Sequence, residues 1–128
     1  MGKDLKNLIR LHDWQVEEKQ RALADLLAAV AALEAKRRRL EDDLVRERKA
    51  AAEAPADIGI YYGNFAKAAI ARRKALEKAI AESEAEVAAA RDRLREAYRE
   101  LKKYDVAQAQ RDAREAADGE LARVEELG

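Results

Sequence analysis

One break governs what this chain can become. The tract Ala54–Asn64 reads APADIGIYYGN and holds the only proline, Pro55, together with Gly59 and Gly63. Proline lacks an amide proton and clashes with the preceding helical turn. Glycine adopts unusual φ cheaply but weakens a helix interior. On both sides lie long runs of Ala, Leu, Arg, Lys and Glu with nothing to stop a helix. Asn64 suits the N-cap of a helix starting at Phe65. The tract therefore predicts the bend where one long helix turns back on itself. The expected fold is all-α: an antiparallel two-helix coiled coil, or α-helical hairpin. Helix one covers about 3–53, the bend 54–64 and helix two about 65–121, in a single domain spanning 1–128.

Periodicity supports the two arms. In the first, one heptad position carries Ile9, Val16, Leu23, Val30, Arg37, Leu44 and Ala51, and its companion carries Leu5, His12, Lys19, Leu26, Leu33, Leu40 and Glu47. In the second, Arg73, Ile80, Val87, Leu94, Leu101, Gln108 and Glu115 alternate with Ala69, Leu76, Ser83, Ala90, Ala97, Tyr104 and Arg111. Apolar residues alternately three and four apart form the seam of a left-handed coiled coil. Charge then selects a register. Setting Leu44 opposite Leu76 and Leu40 opposite Ile80 also sets Val16 on Tyr104, and matches the polar interruptions Glu47 with Arg73 and His12 with Gln108. Sliding by one heptad puts Leu40 on Arg73 and Arg37 on Leu76, or, the other way, Glu47 on Ile80. Unpaired charge in a seam is costly, so the first register is expected. At ~1.5 Å per residue, arms of about fifty residues make a rod of roughly 75 Å. The segment Ala116–Gly128 then has no partner in the chain, and an extended or fraying helix is expected there.

Composition narrows the functional classes. Charged residues make up 41% and aromatics 5%, the balance of a coiled coil rather than a globular core. Lys and Arg number 26 against 26 Asp and Glu, so no net field draws the chain to nucleic acid or membrane. There is no cysteine, hence no thiol nucleophile or thiolate metal site. The lone histidine, His12, falls on a seam position and reads as a packed polar residue rather than a ligand. No phosphate loop and no nucleophile–base constellation is evident, and a two-helix rod offers no closed pocket. The expectation is a non-enzyme with no cofactor, no metal and no small-molecule substrate. The amino end lacks a basic-then-apolar leader, and the longest apolar run, Leu26–Leu33, is far shorter than the ~20 residues that span a bilayer. A cytoplasmic location follows as an expectation.

Three surfaces stand out. Leu8, Leu11 and Trp14 are spaced by three and fall off the seam, either through a local register shift and contact near Tyr104 and Val106, or as a partner-binding face, since Trp is a common interface anchor. Ile58, Ile60, Tyr61, Tyr62 and Phe65 crowd the bend, either plugging the end of the seam or forming a contact tip. Lys36–Arg39 and Arg72–Lys74 are basic. They read as a solvated face paired with Glu41, Asp42, Asp43 and Glu77, or as a site for an acidic partner or nucleic acid. Net neutrality argues against nucleic-acid binding driven by the phosphate backbone.

The tract Tyr61-Tyr62-Gly63-Asn64-Phe65, followed by Leu76-Glu-Lys-Ala-Ile80, resembles the region after the bend in the FliJ family of flagellar export proteins. The start, with Leu8-Ile-Arg-Leu11 and Glu17-Glu18-Lys19, and the charged close near Glu125-Glu126-Leu127, are similar too, so the likeness covers the whole chain in layout. The resemblance implies an antiparallel coiled-coil component of the flagellar type III export apparatus, similar to the stalk subunit of rotary ATPases. It implies three partners: the hexameric export ATPase ring, the export gate membrane protein and export chaperones. The implied place is the cytoplasm, peripherally at the inner-membrane basal body. Phe65, Leu76 and Ala79 match positions that face the gate in that family. Ser83 stands where bulkier polar residues are usual. The partner-binding candidates are thus Leu8, Leu11, Trp14, Tyr61, Tyr62, Phe65, Leu76 and Ala79. The rival reading is a structural or nucleic-acid-binding coiled-coil arm.

Overall fold

The computed structural model describes residues 2–54 and 59–128. Pro55 and Ile58, which the sequence places in the bend, lie outside the described residues. Two helices account for nearly all the rest: α1, Gly2–Glu53, and α2, Gly59–Leu127. No strand occurs among the described residues. The fold is all-α, with two long helices packed against each other as a helical hairpin.

The described residues form two compact units. One, Leu23–Ala89, contains the end of α1 and the start of α2. The other joins Met1–Ala22 to Ala90–Gly128. In both units the seam positions expected from heptad spacing are the ones withdrawn from water. Val16, Leu40, Ala69, Ile80, Val87 and Ala90 are buried, and of the remaining seam positions only Lys19, Glu47 and Glu115 are exposed. Burial of small residues such as Ala69 and Ala90 implies close approach of the helix backbones. The seam alone separates inside from outside, because two helices cannot enclose a wider core.

Ion pairs do not hold the helices together. Every salt bridge among the described residues joins positions three or four apart on one helix, as in Glu17–Arg21, Asp92–Arg95 and Glu120–Arg123. In all but Arg111–Glu115 the acid precedes the base, the orientation that best stabilises a helix. They support each helix locally and leave the pairing to apolar contact. The strongest perturbation follows from one of them. The Lys103 ammonium, 2.7 Å from Glu100 Oε1, holds the Glu100 carboxyl below its ordinary value, and Glu100 in turn raises Lys103.

The structure corrects the extent of the bend. Helix α2 starts at Gly59, not Phe65, so Gly63 and Asn64 are helical and Asn64 caps nothing. None of the described glycines has positive φ. The early start lays Tyr61, Tyr62 and Phe65 beside Ala50, Ala51 and Ala54. Covering aromatic surface outweighs the ~1 kcal/mol that a glycine costs inside a helix. A Cβ at Gly63 or Gly119 would meet nothing within 4 Å. Gly63→Ala and Gly119→Ala are therefore each expected to stabilise the fold by about 0.5–1 kcal/mol, read as a higher thermal midpoint by circular dichroism. A lower midpoint for Gly63→Ala would mean that residue is not helical.

The register also differs from the expected one. Glu47 shares a groove with Tyr61, Tyr62 and Phe65 instead of facing Arg73. Leu40 lies with Arg72 and Leu76 rather than opposite Ile80. In the other unit, Trp14, Gln15, Glu18 and Lys19 line a groove with Arg93, Glu96, Ala97 and Glu100. Tyr104, expected on Val16, stacks on His12, ring centroids 4.6 Å apart. With Leu40 beside Leu76 and Tyr104 on His12, the helices are slid by about four residues, half a heptad, from the expected register, short of the whole-heptad slide that charge matching had rejected. The reason is the openness of a two-helix seam. Arg37 and Arg73 are half-buried rather than enclosed, so their stems can cover apolar surface while the guanidinium groups stay wet. The penalty that would exclude them from a closed core is largely absent.

Candidate functional site

Near the start of α1, helical spacing carries Leu8, Leu11 and Trp14 outside the seam. They are 38%, 47% and 56% exposed. The register shift does not hide them, and Val106 on α2 is exposed as well. Trp14 forms one end of an open groove of about 590 Å³ whose other lining groups are mainly charged. Beside it, Gln20 Nε2 donates a hydrogen bond to Tyr98 Oη at 2.5 Å. Between the helices, His12 Nδ1 and Gln108 Oε1 are buried without a hydrogen-bond partner, and the Gln108 amide donates instead to Asp112. No group of three or more potential metal ligands occurs among the described residues.

At the other unit's end the expected tip residues divide. Ile60 and Tyr61 are exposed, whereas Tyr62 and Phe65 are half-buried against α1. Two of the aromatics thus close the seam and one projects. Leu76 and Ala79 are both half-buried. The site residues expected from sequence therefore fall into separate patches: Leu8, Leu11 and Trp14 in one unit, and Tyr61, Tyr62, Phe65, Leu76 and Ala79 in the other.

The basic clusters are arranged differently from expectation. Lys36 and Arg39 of α1 and Arg72 of α2 line one groove of about 470 Å³, over Leu40, Ala75 and Leu76. The only acid in it, Asp43, is paired with Arg46. No ion pair among the described residues involves Lys36, Arg39 or Arg72, so the expected pairing with Glu41, Asp42, Asp43 and Glu77 is not formed. Sequence reasoning found the charges but not the apolar floor between them, because the floor depends on register. It also passed over Leu121, Val124 and Leu127, all highly exposed on α2. Their spacing of three was legible.

The three grooves are open to solvent. No helix among the described residues is long and apolar enough to cross a membrane. Compared with family models, curated proteins and solved structures, the chain matches none.

Proposed function

We propose that this chain is a coiled-coil stalk and escort protein of the flagellar type III export apparatus, acting by binding and not by catalysis. The observation that carries the reading is the exposed row Leu8, Leu11 and Trp14, an apolar face that the helix pair does not use. Aromatic and aliphatic anchors of this kind dominate interface energetics. The Tyr61–Phe65 and Leu76–Ile80 tracts, which resemble the FliJ family, supply the identity of the partners. In this reading the unit bearing Trp14 enters the export ATPase ring, and the unit bearing Phe65, Leu76 and Ala79 faces the export gate and the chaperones. An asymmetric helix pair in a six-fold ring meets each subunit differently, which would couple the state of the ring to the orientation of the stalk.

Co-purification with the export ATPase, with and without nucleotide, tests the proposal. Retention at micromolar concentration is expected, weakened about tenfold by Leu11→Ala with Trp14→Ala. No retention in either nucleotide state would remove the reading. A nucleic-acid-binding arm is the second reading, favoured by the free cations Lys36, Arg39 and Arg72. It requires salt-sensitive RNA binding, and a flat titration at low salt would eliminate it.

A further inference from the structure

We infer that the last turns of α2, Asp112–Leu127, dock in the Lys36–Arg39–Arg72 groove of a second copy of the chain. The inference draws on both surfaces and not on the export reading.

The segment itself lacks cover. Every residue from Asp112 onward is exposed, although the helix continues to Leu127. Leu121 and Val124 are 61% and 62% exposed. Most helical stability in proteins comes from packing of an apolar face, and the end of α2 has such a face with nothing on it. Six carboxylates stand against two arginines in it. Asp118, Leu121 and Glu125 are three and four apart, so they share one face, with the leucine between the acids. Neither Asp118 nor Glu125 takes part in an ion pair among the described residues.

The groove has the opposite pattern. Lys36 and Arg39 on α1 and Arg72 on α2 flank Leu40, Ala75 and Leu76, and none of the three cations is paired. Leu121 fits the floor while Asp118 and Glu125 reach the cations on either side. An apolar floor between cations suits an amphipathic helix better than a phosphate backbone, which would leave it uncovered. Arg72 and the acidic segment belong to one uninterrupted helix, so the receiving groove is that of another copy.

Sedimentation equilibrium of the full chain at low ionic strength tests this. Reversible self-association in the micromolar range is expected, and it should weaken as salt rises, because the contact is charge-steered. Arg39→Glu with Arg72→Glu should weaken it about tenfold, as should Asp118→Arg with Glu125→Arg. The four changes in one chain should restore it to within about threefold of the original. All four side chains are exposed, and unchanged helical circular dichroism checks that the fold survives. A chain that stays monomeric at about 100 µM in low salt overturns the inference. So does self-association that ignores both charge reversals, or that yields instead to Leu11→Ala with Trp14→Ala. Failure here leaves retention by the export ATPase unaffected, so the two ideas are separable.

Discussion

Ile80→Asp is expected to unfold the Leu23–Ala89 unit, at a cost of about 3 kcal/mol or more. Ile80 is 6% exposed, so a carboxylate there would be drawn out of water. The helix backbone itself tolerates aspartate, so the loss belongs to the pairing of α1 with α2 and not to helix propensity. The control is Ala81→Asp on the neighbouring exposed position, for which only the helix-propensity loss of about 0.7 kcal/mol is expected. Thermal melts followed by circular dichroism give the comparison, and amide exchange shows whether protection falls throughout Leu23–Ala89. Equal midpoints for the two variants would mean that the seam does not run through residue 80. The comparison matters because exposed residues dominate this protein. With so few positions withdrawn from water, each carries a large share of a modest total.

Ala69→Leu is the second large effect, of opposite kind. Ala69 is 2% exposed, the lowest exposure among the core residues. Its methyl group fits where the helices come close, and a leucine there adds volume with no room to accept it. We expect destabilisation of about 2–3 kcal/mol from overpacking, despite the greater hydrophobicity of the new residue. Ala68→Leu, one residue away and exposed, should be nearly neutral, because leucine is almost as good a helix former as alanine. If leucine stabilised the fold at position 69, the helices would have to stand farther apart there than the burial of Ala69 implies.

The arrangement of interaction surfaces follows from the same economy. A pair of helices hides one stripe on each, so any other row of apolar side chains stays available. Leu8, Leu11 and Trp14 are one such row, and Leu121 with Val124 is another. The proposed export role uses the first and the proposed self-association the second. Lys36, Arg39 and Arg72 are set apart by sharing one groove with Leu40, Ala75 and Leu76.

Helix type and seam membership were legible from residue order. A 3.5-residue repeat of apolar side chains is a local property, and Val16, Leu40, Ile80 and Val87 are buried where it puts them. The exposure of Leu8, Leu11 and Trp14 was readable for the same reason. The start of α2 was not. Gly63 and Asn64 carry the local signature of a turn, yet Tyr62 and Phe65 gain cover only if the helix already exists at Gly59 and runs beside Ala50, Ala51 and Ala54. A contact across the chain overruled local preference.

Register was the other matter beyond the reach of residue order. Heptad patterns superpose on themselves after every seven residues, so apolar matching alone leaves several alignments nearly equal. Charge was the natural tie-breaker, but it discriminates only where water is excluded. Around Arg37 and Arg73 the seam is open, and both side chains can reach solvent. Residue order by itself determined that this protein is two helices and which stripe of each turns inward. Only the tertiary structure decided how far one is slid along the other, because that depends on where α2 begins and on how much solvent two helices admit.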